Sequence, residues 1–137
     1  MNISEIIKSN TQSLLMIEKE LKVIFKLQKA EIVDECLILE KFTFLLETYK
    51  GNSNVLKHFL DFINICNDDS ILNFYEINEV DALFEVLSRV TESDIDILIE
   101  HYFYTKNVLD DEPKASEQLK SLKGMIAGKH KYLREWR

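Results

Sequence analysis

The side chains of this sequence best suited to chemistry are carboxylates, and four of them stand at helical spacing. Asp81 and Glu85 are four residues apart, as are Asp96 and Glu100, and Tyr104 follows at the same interval. Residues four apart lie on one face of an α-helix. The spacing therefore predicts one negatively charged ridge on each of two successive helices.

The second of these helices, predicted over residues 93–109, also carries aliphatic residues in several directions. We expect its buried side to hold the aliphatic and aromatic residues Ile95, Leu98, Ile99, Tyr102 and Leu109. That choice leaves Ile97 beside the ridge and exposed. Apolar anchors surrounded by charges are typical of protein interfaces. The predicted partner-binding residues are therefore Asp81, Glu85, Asp96, Ile97, Glu100 and Tyr104.

Histidine and cysteine patterns do not indicate an active site or a metal site. His101 lies seven residues after Asp94, and such a pair can serve acid–base chemistry or supply half of a metal site. No further ligands stand at diagnostic spacing. Gly-rich phosphate loops, a nucleophile elbow and paired CxxC motifs are absent from the sequence. We therefore expect no catalytic residues, no metal and no cofactor.

The balance of acidic and basic residues differs between three regions of the chain, residues 1–67, 68–112 and 113–137. Residues 68–112, the acidic block, hold 13 acidic and two basic residues, whereas residues 113–137 hold two acidic and seven basic ones. A basic C-terminal helix can bind nucleic acid, or it can dock on the acidic block of its own chain or of a second copy. We favour docking within the chain, because the net charge of −7 opposes nucleic-acid binding elsewhere.

The chain is predicted to be all-α, a single-domain helical bundle of about five to seven helices over residues 1–137. Three glycines and one proline are too few for the many tight turns of a β-rich domain of this length. Gly51 suits the left-handed position after a helix, with Ser53 or Asn54 as the next cap. Residues 21–28 alternate apolar and polar residues, so a strand remains an alternative there.

The N-terminus lacks the pattern of a signal peptide, and no apolar run approaches the roughly 18–20 residues that cross a bilayer. Cys36 and Cys66 lie in apolar helical patterns and are expected to be small buried hydrophobes. We therefore expect a cytoplasmic protein with no membrane contact.

These features favour a small acidic protein-interaction module, not an enzyme, that binds and neutralises a basic partner. A toxin or nuclease is the type of partner that fits, as for an immunity protein, an antitoxin or a phage inhibitor. One alternative is a structural subunit of a nucleic-acid-handling or defence complex that uses the basic C-terminal helix. The least favoured is a small helical hydrolase or nuclease at His101. A homodimer is left open.

Overall fold

The computed structural model describes the backbone of residues 2–135 and the side chains of residues 2–128 other than 70 and 72. Within that range it contains helices and no strand. The elements are α1 (Ile3–Gln28), α2 (Glu35–Thr48), α3 (Ser53–Ile65), a 3-10 helix (Asp69–Phe74), α4 (Ile77–Val90), α5 (Ile95–Asn107) and α6 (Glu112–Glu135). The predicted all-α fold of five to seven helices is confirmed.

The chain divides into two compact units, Met1–Phe62 and Ile63–Arg137. The first unit contains α1, α2 and most of α3, and the second contains the 3-10 helix and the last three α-helices. We describe each unit by itself, and the assignment of a single domain stays a prediction.

Residues 21–28 are helical, so the strand alternative is wrong. The side chain of Asn2 caps α1 by accepting a hydrogen bond from the Glu5 amide at 2.9 Å. The polar stretch at residues 9–13 does not interrupt the helix. Asn10 and Thr11 direct their side-chain hydrogen bonds to carbonyls one turn earlier, both at 2.9 Å, which leaves the backbone helical.

The second helix begins at Glu35. Asp34 is its N-cap and accepts a hydrogen bond from the Leu37 amide at 3.1 Å. Ile32 lies in the preceding loop with 90% of its surface exposed. Cys36, expected to be buried, is exposed in the first turn of this helix. The core of the first unit is centred on Phe42, whose ring lies 5.8 Å from that of Phe59 and 5.5 Å from that of Phe62.

The predicted break after α2 is confirmed. Gly51 has φ +78°, the left-handed conformation that glycine adopts without steric cost. The cap of α3 differs from the prediction. Asn52 supplies it by accepting hydrogen bonds from the amides of Asn54 and Val55, both at 3.1 Å.

In the second unit, α4 and α5 form a helical hairpin. Glu92 and Ser93 turn the chain with φ of 54° and 60°, and Asp94 then caps α5 through the amides of Asp96 and Ile97. The 3-10 helix, Asp69–Phe74, precedes this hairpin. The core of this unit collects the buried apolar residues Ile63, Ile71, Val80, Phe84, Leu87, Ile97, Tyr104, Ala115 and Leu122.

The basic C-terminus is described only in part. The side chains of Lys129, Lys131, Arg134, Trp136 and Arg137 lie outside the described residues, so the predictions that depend on them stay predictions. None of the described helices has the length and apolarity that spanning a membrane requires.

Candidate functional site

The predicted exposed strip on α5 is wrong in two of its residues. Ile97 and Tyr104 are buried, with 2% and 0% of their surface exposed. They share the inward face of α5 with His101 and Thr105. The side predicted to be buried is instead only half-buried. Since each helical residue advances about 100°, the true core side is rotated by roughly one residue position from the predicted one.

The reason for this rotation is that each polar group on the inward face has a partner. The Tyr104 hydroxyl donates a hydrogen bond to the Ile77 carbonyl oxygen at 2.8 Å. The Thr105 hydroxyl donates one to the His101 carbonyl oxygen at 2.9 Å. Burial of polar groups costs little when they are hydrogen-bonded. A face with a histidine, a tyrosine and a threonine can therefore face the core in place of an aliphatic one.

The His101 imidazole, which also lies on the inward face of α5, belongs to a charged cluster that joins α4, α5 and α6. His101 Nε2 lies 2.6 Å from Asp81 Oδ1. Lys114 Nζ donates to both Asp81 oxygens, at 3.2 and 3.0 Å. Glu85 Oε1 lies 3.5 Å from Lys114 Nζ and 4.0 Å from His101 Nε2. We call these four residues the α4–α6 cluster.

The pKa values of Asp81 and Lys114 shift in the direction of charge pairing. Burial acts to raise the pKa of the Asp81 carboxyl, but hydrogen bonds from His101 and Lys114 outweigh it and lower that pKa below its ordinary value. Burial acts to lower the pKa of the Lys114 ammonium, but Asp81 and Glu85 raise it. Both groups therefore stay charged near neutral pH, and they neutralise one another.

Aromatic rings enclose the histidine side of the cluster. The Phe84 and His101 rings stack with centroids 4.8 Å apart and planes 5° from parallel. The Tyr104 ring is a second neighbour of Phe84, with ring centroids 5.4 Å apart. The His101 residue is left only 4% exposed. The cluster thus joins three helices, with His101 buried and with Glu85 and Lys114 partly exposed.

Three members of the cluster offer ligand atoms that a metal ion could use. One nitrogen or oxygen from each of Asp81, Glu85 and His101 lies within 4.8 Å of the others. The Lys114 ammonium contacts both carboxylates already. A bound cation would have to displace it, so the residues present do not favour a metal site.

A cavity of about 90 Å³ lies against His101 between α5 and α6. Its lining is mainly apolar, with Leu98, Leu122 and Met125, and it includes Gln118 and Ser121. The Gln118 Oε1 atom is buried and has no hydrogen-bond partner among the described residues. The cavity has room for a water molecule or a very small ligand.

The four predicted carboxylates do not form one surface. Asp81 and Glu85 belong to the cluster. The Asn64 side-chain amide donates to the Glu100 carbonyl oxygen at 2.8 Å and to Glu100 Oε2 at 2.7 Å, so Glu100 supports the end of α3. Asp96 remains exposed in the first turn of α5. Asp81 and Glu100 therefore have structural contacts that account for them, whereas Glu85 contacts Lys114 and leaves half of its side chain exposed.

Two apolar residues that sequence analysis overlooked are exposed on α4. Val86 is 47% exposed and Val90 is 72% exposed. They lie four residues apart on the same ridge as Glu79 and Ala82, with Arg89 and Glu85 beside them. We call these six residues the outward α4 surface. The spacing of Val80, Phe84 and Leu87 marks the core side of α4, so the exposure of Val86 and Val90 was predictable by the same 100° rule.

The surface around α4 is acidic. Residues 63–128 hold 14 acidic and five basic residues. Ten of those acids and four of those bases are exposed, which leaves a negative excess on the described surface of this unit. Lys114 is the base that is not exposed, and its contacts bear out the predicted docking within the chain for the first turn of α6.

Comparison of the chain with protein-family models, with curated proteins and with solved structures found no match in any of the three.

Proposed function

We propose that this chain is a non-enzymatic interaction protein whose second unit binds a basic protein partner through the outward α4 surface. The observation that carries the proposal is the pair of exposed valines, Val86 and Val90, on a ridge that also holds Glu79. Exposed aliphatic residues in an acidic surrounding are the composition of a docking site with an apolar centre and a charged rim.

The negative excess of the second unit supports a basic partner. Charge of one sign over a surface attracts an oppositely charged protein and raises its rate of association. The aliphatic centre then supplies binding energy that charge alone does not, since exposed ion pairs contribute only about 0–1 kcal/mol each. Attraction and apolar burial together make the contact both fast and specific.

The finer assignment is an inhibitor that neutralises its partner, such as an immunity protein, an antitoxin or a phage inhibitor. Enzymes that act on nucleic acids carry basic clefts, because they must bind phosphates. An acidic protein that covers such a cleft excludes the substrate. On this proposal the carboxylates of Glu79 and Glu85 take positions that substrate phosphates would occupy.

The test is affinity capture from extracts of the source cells with tagged wild-type chain and with a Val86→Ser/Val90→Ser variant. We expect the wild-type chain to retain a basic protein that is released by salt, and the double variant to lose it. Phe44→Ser is the matched control, because Phe44 is 57% exposed and lies in the first unit. It should retain the same protein.

Two outcomes would contradict the proposal. A captured protein that is acidic, or that both variants retain equally, would exclude the outward α4 surface as its binding site. Capture that nuclease treatment abolishes would favour the alternative of a nucleic-acid-handling subunit. The extract should therefore be split and treated with nuclease before capture.

Acid–base chemistry at His101 is a second candidate function, favoured by the short Asp81–His101 contact and by the adjacent cavity. An aspartate that holds an imidazole is a recurrent arrangement in hydrolases. Its test is hydrolysis of a small chromogenic phosphodiester by the wild-type chain and by His101→Gln. Equal rates for the two proteins would exclude it.

A further inference from the structure

The N-terminal half of α1 carries an apolar stripe that extends beyond the rest of its unit. Ile17, Leu21 and Ile24 are buried in the core of the first unit. The same face continues toward the N-terminus through Ile3, Ile7, Asn10 and Leu14. Exposure changes abruptly along this face, from 58% at Leu14 to 2% at Ile17. We call residues 3–14 the projecting half of α1.

The lengths of the first two helices explain why most of this half lacks cover, although its last residue, Leu14, borders a surface pocket with Asn54 and His58 of α3. The helix α1 has 26 residues and α2 has 14. The two are joined by a short loop and run antiparallel, since Glu20 lies beside Lys41 and Phe44 around one surface pocket. At equal rise per residue, α2 runs back along 14 residues of α1 and ends level with about residue 15. Nothing in α2 reaches the projecting half.

The stripe has the spacing of a coiled-coil seam. Its positions 3, 7, 10, 14, 17, 21 and 24 alternate steps of four and three without interruption, and all except Asn10 are isoleucine or leucine. Such a seam is complementary to an identical seam, because each residue inserts between four residues of the facing helix. A single asparagine in the seam is a common device that lowers stability and fixes the pairing.

Charge also favours an identical partner. Residues 3–17 contain only Glu5 and Lys8 as charged groups, so their formal charge is zero. Two copies can therefore bring this segment together without the repulsion expected elsewhere on a chain of net charge −7. A partner selected by charge would find nothing to recognise here, whereas a second copy needs only the apolar stripe.

We propose that the projecting half of α1 is an interface with a second copy of this chain. Each copy contributes the same stripe, as in an isologous dimer, and covers the Ile3, Ile7 and Leu14 side chains of the other. The contact spans less than two heptads beyond the unit, so the dimer dissociates on dilution. This inference rests on the first unit and does not depend on the proposed function of the second.

The experiment is sedimentation velocity of the full chain over a dilution series, with matched variants in α1. Ile7→Glu places a charge in the seam, and each dimer then loses two buried isoleucines. We expect its dissociation constant to rise by about 100-fold or more. Met16→Glu is the control, with the same change in charge at an exposed residue on the far side of the same helix. It should dimerise as the wild type does.

A third variant tests the seam by gain of association. Asn10→Leu removes the amide from the stripe, and we expect it to tighten self-association by about tenfold or to raise the number of copies. Helix content by circular dichroism should be the same in all four proteins. Because Ile7 and Asn10 are exposed in the single chain, these substitutions leave its core intact.

A wild-type chain that stays monomeric at every concentration would overturn the proposal, as would an equal effect of Ile7→Glu and Met16→Glu. Vesicles of phosphatidylcholine and phosphatidylglycerol test a different occupant. If the monomer binds these vesicles and Ile7→Glu abolishes binding, the projecting half is a lipid-binding surface and the proposed dimer is wrong.

Discussion

Asp81 is the residue whose environment differs most from its sequence-based expectation. Its place on a helix, four residues before Glu85, predicts a solvated ridge, whereas the structure gives it contacts with His101 on α5 and Lys114 on α6. These partners are 20 and 33 residues away in the chain, so no local pattern reveals them. Helical spacing predicts which residues share a face but not which distant residues meet that face.

The Asp81→Asn variant should be less stable than the wild type by about 2 kcal/mol, because Lys114 and His101 lose a charged hydrogen-bond partner. Urea unfolding at neutral pH measures the change. Glu79→Gln is the control, with an equal change in charge on the exposed side of the same helix, and should cost no more than about 0.5 kcal/mol. Equal losses in the two variants would show that the cluster contributes nothing specific.

Asp81 should also make stability depend on pH in the acid range. Its pKa in the folded chain lies below the ordinary value of 3.8, so the folded state binds a proton less readily than the unfolded state. Its stabilising contribution is therefore present above that value and is lost as pH falls through the folded pKa. The stability difference between wild type and Asp81→Asn should shrink over that interval. A difference that grows toward acid pH would contradict this assignment.

Tyr104 should tolerate loss of its hydroxyl poorly. Tyr104→Phe removes the donor to the Ile77 carbonyl oxygen, which lies just inside the start of α4. We expect a loss of about 1 kcal/mol in unfolding free energy. Tyr102→Phe, on the half-buried side of the same helix, should cost less. The order of the two denaturation midpoints decides the point, and the reverse order would count against the inward placement of Tyr104.

At the scale of the elements, the buried side of a helix could be predicted where its two sides differ clearly in polarity. Val80, Phe84 and Leu87 give α4 a clear apolar side, and the structure buries all three. In α5 aliphatic or aromatic residues occur on every side of the helix, so periodicity alone predicted the wrong side to be buried. The deciding information was the polar partners of His101 and Tyr104, which lie on other helices. The starts of the helices depend on N-caps such as Asp34 and Asn52. Several neighbouring polar residues could serve as each cap, and the sequence does not determine which one does.

One helix start is imperfect and can be improved. Glu76 occupies the N-cap of α4 in an extended conformation, and its side chain makes no capping hydrogen bond. Aspartate has the same charge and a shorter side chain that can accept hydrogen bonds from amides of the first turn. We expect Glu76→Asp to stabilise the chain by about 0.5–1 kcal/mol in thermal or urea unfolding. Asp94→Ala, which removes the existing cap of α5, should destabilise it by a similar amount. A loss of stability in Glu76→Asp would show that α4 begins differently.

Across the whole molecule, the all-α class and the acidic character of residues 68–112 followed from composition alone. The outward α4 surface could not be predicted from composition, because it depends on which side of α4 faces outward. The structure moves the candidate contact from Tyr104 and Ile97, which are buried, to Val86 and Val90, which are exposed. Of the predicted carboxylates Glu85 is retained, and Glu79 is added to it. The proposed function therefore keeps its electrostatic argument and changes its apolar anchors.

The association rate between this chain and the basic protein that it captures, measured over a range of salt concentrations, tests the proposed function most directly. Glu79→Gln/Glu85→Gln lies on the outward α4 surface, and Glu112→Gln/Glu117→Gln makes the same change in net charge on α6. If attraction is directed to the outward α4 surface, the first pair slows association and flattens its dependence on salt, whereas the second pair has a much smaller effect. Equal behaviour of the two pairs, or a rate independent of salt, would contradict the proposal.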